Sequence, residues 1–130
     1  MNISKFTQKS VQAVQDLEKV AYEYGNQEIE QEHLLYTLLT QEDSLILKLI
    51  EKMEINKEYF LNTVKNALDA KVKVSGGELR FGQYLNRALV NAEDEAKAMG
   101  DEYVSVEHLF LALLKYPSPS MKKIWSEFGI

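Results

Sequence analysis

The chain has 130 residues, 45% of them hydrophobic and 27% charged, which suits one compact domain burying roughly two-thirds of its unfolded surface. It has no cysteine, which excludes a disulfide framework and any thiolate metal site. Its formal net charge of −5 argues against a general nucleic-acid binder, which needs Lys and Arg gathered on one face.

Only the small Lys71-Val72-Lys73 and Lys122-Lys123 groups collect positive charge, and both read as solvated surface. No apolar run is long enough to span a bilayer, and the opening residues lack the apolar stretch of a signal peptide. A soluble, cytoplasmic protein with no membrane or nucleic-acid partner is expected.

The first helix is expected to start near Thr7, whose hydroxyl can accept a free backbone N–H of the first turn. Val11, Val14, Leu17 and Ala21 place an apolar stripe on one face, and Gly25 supplies the left-handed stop. Ile29 precedes a second helix carrying Leu34, Leu35, Leu38 and Leu39, with Glu32 in its first turn, where the helix dipole favours negative charge. Asp43 is the expected cap of a short third helix with Ile46, Leu49, Ile50 and Met53 inward. Asn56 caps a fourth, in which Phe60, Val64, Ala67 and Leu68 repeat at helical spacing. Residues 71–80 break the pattern, and their Ser-Gly-Gly core predicts a mobile connector.

The chain then repeats itself at a constant offset of 75 residues. Phe6 falls on Phe81, Gly25 on Gly100, Glu32-His33-Leu34 on Glu107-His108-Leu109, and Leu38-Leu39 on Leu113-Leu114. A gapless offset is the mark of a duplicated structural unit. The second copy predicts a helix from Gln83 to Met99 with Leu85, Leu89, Ala92 and Ala96 inward, stopped at Gly100. A helix capped by Ser105 follows, and then one entered through Ser118-Pro119. The fold expected is all-α: two pseudo-twofold copies of a four-helix unit, about 4–70 and about 81–130, the second cut short. A counterpart of the Asn56 helix is missing, which suggests a fragment of a longer protein.

The Glu-His pairs invite a metal or acid-base reading. Neither has His-Glu-x-x-His spacing, and the chain holds only two histidines, so each His is expected to make a local hydrogen bond beside the leucines. Glu32 and Glu107, each at a free helix N-terminus, could also receive a charged or polar partner group. Tyr22 and Tyr36 fall off the apolar stripes and are expected outside. No phosphate-cradling Gly-x-x-x-x-Gly-Lys run or Ser-His-Asp context occurs, so catalysis and metal binding are not expected.

The doubled Gly-x-x-x-Ile/Val-x-x-Glu-His-Leu pattern, with Lys5-Phe6-Thr7-Gln8 and Gly100-Asp101-Glu102-Tyr103-Val104-Ser105, resembles the N-terminal domains of the Clp family of AAA+ unfoldases. Asn26-Gln27-Glu28 favours the disaggregating ClpB type; His108 is also how the related ClpC type reads. The resemblance implies a mostly helical domain joined by a linker to ATPase modules that bind ATP and Mg2+, with no cofactor in the domain itself. It implies a monomeric domain, a homohexameric parent, and unfolded or aggregated proteins as partners. The positions matching the family's polar cluster are Thr7, Asp101 and Glu107, and an apolar groove is implied at Leu89, Leu109 and Val11. In the ClpC alternative, Glu32 and Glu107 receive adaptor proteins or phosphoarginine.

Overall fold

A computed structural model describes residues 3–130. After a 3-10 turn at Ile3–Lys5, the order is α1 (Gln8–Glu23), β1 (Glu28–Ile29), α2 (Gln31–Leu39), α3 (Leu45–Lys52), α4 (Lys57–Asp69), β2 (Arg80–Phe81), α5 (Gln83–Ala98), α6 (Val106–Lys115) and α7 (Pro119–Glu127). The fold is all-α, as the periodicity predicts. Helix α2 is the hub. It packs on α1, α3, α4, α5 and α6, and every one of its residues except Tyr36 is buried. A helix apolar on most sides must be enclosed on most sides.

The two copies interlock through extended segments too short for sequence periodicity to reveal. Ile29 pairs in parallel with Phe81, and Phe6 with Val104. The 75-residue offset turns the first pair into the second. Their hydrogen bonds match: Gly82 N–H donates to the Ile29 carbonyl at 2.8 Å, and Thr7 N–H to the Val104 carbonyl at 2.9 Å. Each copy's entry segment therefore pairs with the other copy's second-helix approach, an exchange of twofold form.

Most caps fall where the sequence places them. Thr7 Oγ1 accepts Ser10 N–H, Asn56 Oδ1 accepts Tyr59 N–H, and Ser118 Oγ accepts Met121 N–H. Gly25 and Gly100 take φ of +72° and +73° after α1 and α5, where an L side chain would be strained.

Three expectations need correction. Asp43 does not cap α3: Ser44 does, accepting Leu47 N–H, while Asp43 sits at φ +54° and pairs with Lys48. In the second copy Pro119, which has no N–H, can occupy the first helical position, so Ser118 is left as cap. Met53 is exposed because α3 ends just before it and the chain turns away at Glu54, φ +62°. Tyr36 is half-buried, edge-on to Tyr24 at 5.6 Å, whereas Tyr22 is exposed as expected.

Candidate functional site

Each Glu-His pair lies in the first turn of its copy's second helix, α2 or α6, and the two histidines do the same work. His33 Nδ1 accepts Glu30 N–H, and His108 Nδ1 accepts Ser105 N–H, both at 2.9 Å. The far ring nitrogens meet equivalent residues: His33 Nε2 lies 3.0 Å from Asn26 Oδ1, and His108 Nε2 lies 2.8 Å from Asp101 Oδ2. Both rings are buried. Among the described residues, no group of three His, Cys, Asp or Glu side chains is placed to hold a metal ion, and no helix is long and apolar enough to cross a membrane.

The glutamates part company. Glu107 is exposed and lines a cleft of about 450 Å³ between the start of α1, the α2–α3 turn and the start of α6. Leu45 and Val106 give this cleft an apolar wall, and Thr7, Lys9, Gln41 and Asp43 complete its polar rim. The rim is tied together, since Lys9 Nζ donates to the Glu42 carbonyl and Gln41 Nε2 to the Lys9 carbonyl. An apolar side chain could rest on Leu45 and Val106 while its backbone meets the rim.

The first copy has filled the same place. Gln31 stands where the second copy has Val106, and it is fully buried. Its Nε2 donates to the Tyr84 and Tyr116 carbonyls, both at 3.1 Å, and its Oε1 accepts Ser118 N–H at 2.9 Å. Tyr84, Tyr116 and Ser118 are the counterparts of Lys9, Gln41 and Asp43. One glutamine thus plugs one site with three hydrogen bonds, and one valine leaves the other open.

Glu32 is covered as well. It is 1% exposed, and Lys71 from the connector lies 3.1 Å from its Oε2 and 2.8 Å from Glu30 Oε2. Burial works against the Lys71 ammonium, but the Glu32 charge and the hydrogen bonds to Glu30 and Glu32 outweigh it and raise its pKa. Burial and the Lys71 charge together push His33 down to about 4. The first part of the connector is thus tied to the first copy through residues 71–74.

The His33 shift carries a pH signature. Above the imidazole's unfolded pKa of about 6.5 both states are neutral; below it the unfolded chain takes a proton that folded His33 refuses, so stability falls as pH drops. This one group should cost about 2 kcal/mol between pH 7 and pH 5, with its contribution levelling off below about pH 4. NMR titration of the imidazole, with denaturant unfolding of the chain and of His33→Asn, checks this. A His33 midpoint near the ordinary value would refute it.

Of the residues singled out from the sequence, Thr7 and Glu107 share the open cleft. Asp101 lies outside it, exposed and held to His108, beside a second depression of about 420 Å³. Leu89 and Leu109 are 1% and 0% exposed. They are core positions of α5 and α6 with almost no surface of their own to offer a groove. Val11 is half-buried against the same core. Glu32 is no open pocket residue, because Lys71 occupies it. Lys71, expected on solvated surface, instead turns inward to Glu32 with its side chain 14% exposed; Leu45, Val106 and Gln31 carry no sequence signal beyond Gln31 facing Val106 across an otherwise similar stretch.

The family model described as Clp repeat (R) N-terminal domain matches residues 5–128. The chaperone protein ClpB of Nitratidesulfovibrio vulgaris is 38% identical over 136 aligned residues, covering 100% of this chain and 16% of that protein. The chain therefore spans about one-sixth of the length of such relatives. Among solved structures, the Hsp104 N-terminal domain from Candida albicans superposes with a TM-score of 0.85 at 22% identity, covering 97% of this chain and 83% of that one. A ClpV N-domain in complex with a VipB peptide gives 0.74 at 19% identity, over 95% and 79% of the two chains. These two likenesses speak for the fold.

Proposed function

The chain belongs to the Clp repeat N-terminal domain family, and from that premise we propose that it is the non-catalytic substrate-recognition domain of a ClpB-type disaggregase. In this reading it holds exposed segments of unfolded or aggregated polypeptide and passes them to a hexameric AAA+ ring, whose ATP and Mg2+ bind in modules outside this chain. The observation that carries the reading is the cleft at Thr7, Val106 and Glu107, open in one copy and plugged by Gln31 in the other. A peptide-sized apolar wall with a polar rim suits an unfolded chain, which offers apolar side chains and unpaired backbone groups together. That a ClpV N-domain is described in complex with a VipB peptide supports a peptide as ligand for this fold.

The ClpC-like alternative, adaptors or phosphoarginine received at Glu32 and Glu107 as a pair, is the poorer reading. Glu32 is buried and already neutralised by Lys71, so only Glu107 is free to take part.

Val106→Gln tests the cleft by transplanting the plug. The new side chain can reach the Lys9 and Gln41 carbonyls and Asp43 N–H, the groups equivalent to those Gln31 holds. Binding of a chemically denatured model protein, followed by NMR of the labelled chain, should weaken at least about tenfold with the fold intact. Unchanged affinity in a folded variant would remove the cleft as the binding site.

A further inference from the structure

The connector is the one covalent crossing between the copies, and it is fastened on both sides of a short open arch. Residues 71–74 form a strap on the first copy. Val74 N–H donates to the Gly25 carbonyl at 2.9 Å, Asn26 Nδ2 to the Val72 carbonyl at 3.1 Å, and Lys73 Nζ to the Tyr24 carbonyl at 2.6 Å. Arg80, which opens β2, donates its N–H to the Gln27 carbonyl at 3.0 Å. The chain thus leaves the first copy beside Gly25 and returns to it beside Gln27. Between these points residues 75–78 are exposed. Gly76 and Gly77 make the reversal at φ of +78° and +86°, where an L side chain would be strained.

The contacts that hold the copies together lie outside those residues. Helix α2 packs on α5 and α6, and Phe60 stacks on Trp125 at 6.0 Å. Gln31 bonds to Tyr84, Tyr116 and Ser118, and the extended segments pair across the seam. None of these contacts depends on which chain supplies the second copy. A second chain of the same sequence can therefore provide all of them, once each connector straightens. Extended, residues 74–80 reach about 20 Å, enough to carry the second copy clear of the first.

We propose that the arch is an exchange hinge, through which two copies of this chain trade residues 80–130 and form a twofold dimer. Each seam in the dimer joins the first copy of one chain to the second copy of the other. The interface is the seam the single chain already has, so no new surface has to be complementary, and two reciprocal crossings close the assembly. Exchange remakes every seam contact and gives up only the closed arch. Proximity favours the single chain, because a short flexible link holds its two copies at a local concentration on the order of millimolar. The two glycines add to that preference by keeping the arch free of strain. The proposal concerns self-association and stands independently of peptide recognition at the cleft.

Straining the arch tests it. Gly76→Val/Gly77→Val puts β-branched residues on left-handed backbone in the closed arch, a penalty that an extended hinge does not carry. A Cβ on Gly76 would meet nothing within 4 Å, whereas one on Gly77 would lie 2.9 Å from Gln27 Nε2, so the first substitution acts through the backbone and the second adds crowding to it. The concentration at which half the chains are dimeric should fall at least about a hundredfold from that of the native chain. Sedimentation of chains refolded from denaturant at micromolar to millimolar concentration measures it. Isotope-labelled and unlabelled variant chains refolded together then report the geometry, and an NOE is expected between the Phe60 ring of one chain and the Trp125 ring of another. A variant that stays monomeric and native throughout overturns the proposal. So does a dimer without that NOE, which would be an association of outer surfaces. If the variant does not fold, the native chain refolded at about 1 mM decides: the same interchain NOE upholds the hinge, and its absence overturns it.

Discussion

Lys71→Met should lower the stability of the chain by roughly 3 kcal/mol, because it leaves a buried carboxylate without its cation. Glu32 is 1% exposed, one of its oxygens has no hydrogen-bond partner, and the other meets Lys71 at 3.1 Å. Methionine keeps most of the lysine stem, so the loss reports the charge rather than packing. Removing both members should then cost less than removing one: Lys71→Met/Glu32→Gln is expected to recover most of the stability, with a double-mutant coupling of about 1–3 kcal/mol. Denaturant unfolding of the four proteins decides it. Additive losses, each below about 1 kcal/mol, would mean that water screens the pair as it screens a surface salt bridge.

Phe60→Ala should cost about 3–5 kcal/mol, the range for deleting a fully buried aromatic side chain. Phe60 is 0% exposed. It comes from α4 of the first copy, yet its ring stacks on Trp125 of the second at 6.0 Å and 12°, and Phe128 meets it edge-on at 4.9 Å. The cavity would open at the seam between the copies. Calorimetry should still show one transition, moved to lower temperature, because the exchanged segments and the shared hub make the copies unfold together. A loss below about 1 kcal/mol would mean that the neighbouring rings collapse into the space.

The helices were legible because their apolar positions recur at helical spacing and their caps carry residues suited to them, as Thr7, Asn56, Ser105 and Ser118 do. The cap of α3 was misplaced by one residue because Asp43 and Ser44 are both good caps, and only the backbone at Asp43 separates them. The paired segments at Ile29 and Phe6 were illegible because two residues have no periodicity and each partner lies in the other copy.

The site divides in the same way. Periodicity put Leu89 on an inner helix face, and that is where it lies; the groove implied by resemblance draws no support from that inward face. Glu32 and Glu107 look equivalent in sequence because the letters are the same. Their difference comes from Gln31 and Lys71, which act across the fold on surfaces that no local window contains.

The exchanged pairs, Ile29 with Phe81 and Phe6 with Val104, give the interior of this chain the form of a dimer interface. Each half lends an edge and borrows one, as two identical subunits do across a twofold axis. A homodimer cannot change one face without changing the other, because a single sequence encodes both. Once the halves are joined in one chain that bond is broken: one face can keep a strap and a plug while its twin stays open. The duplication offers a scaffold in which one surface holds the shape and its sister is free to take on an occupation of its own.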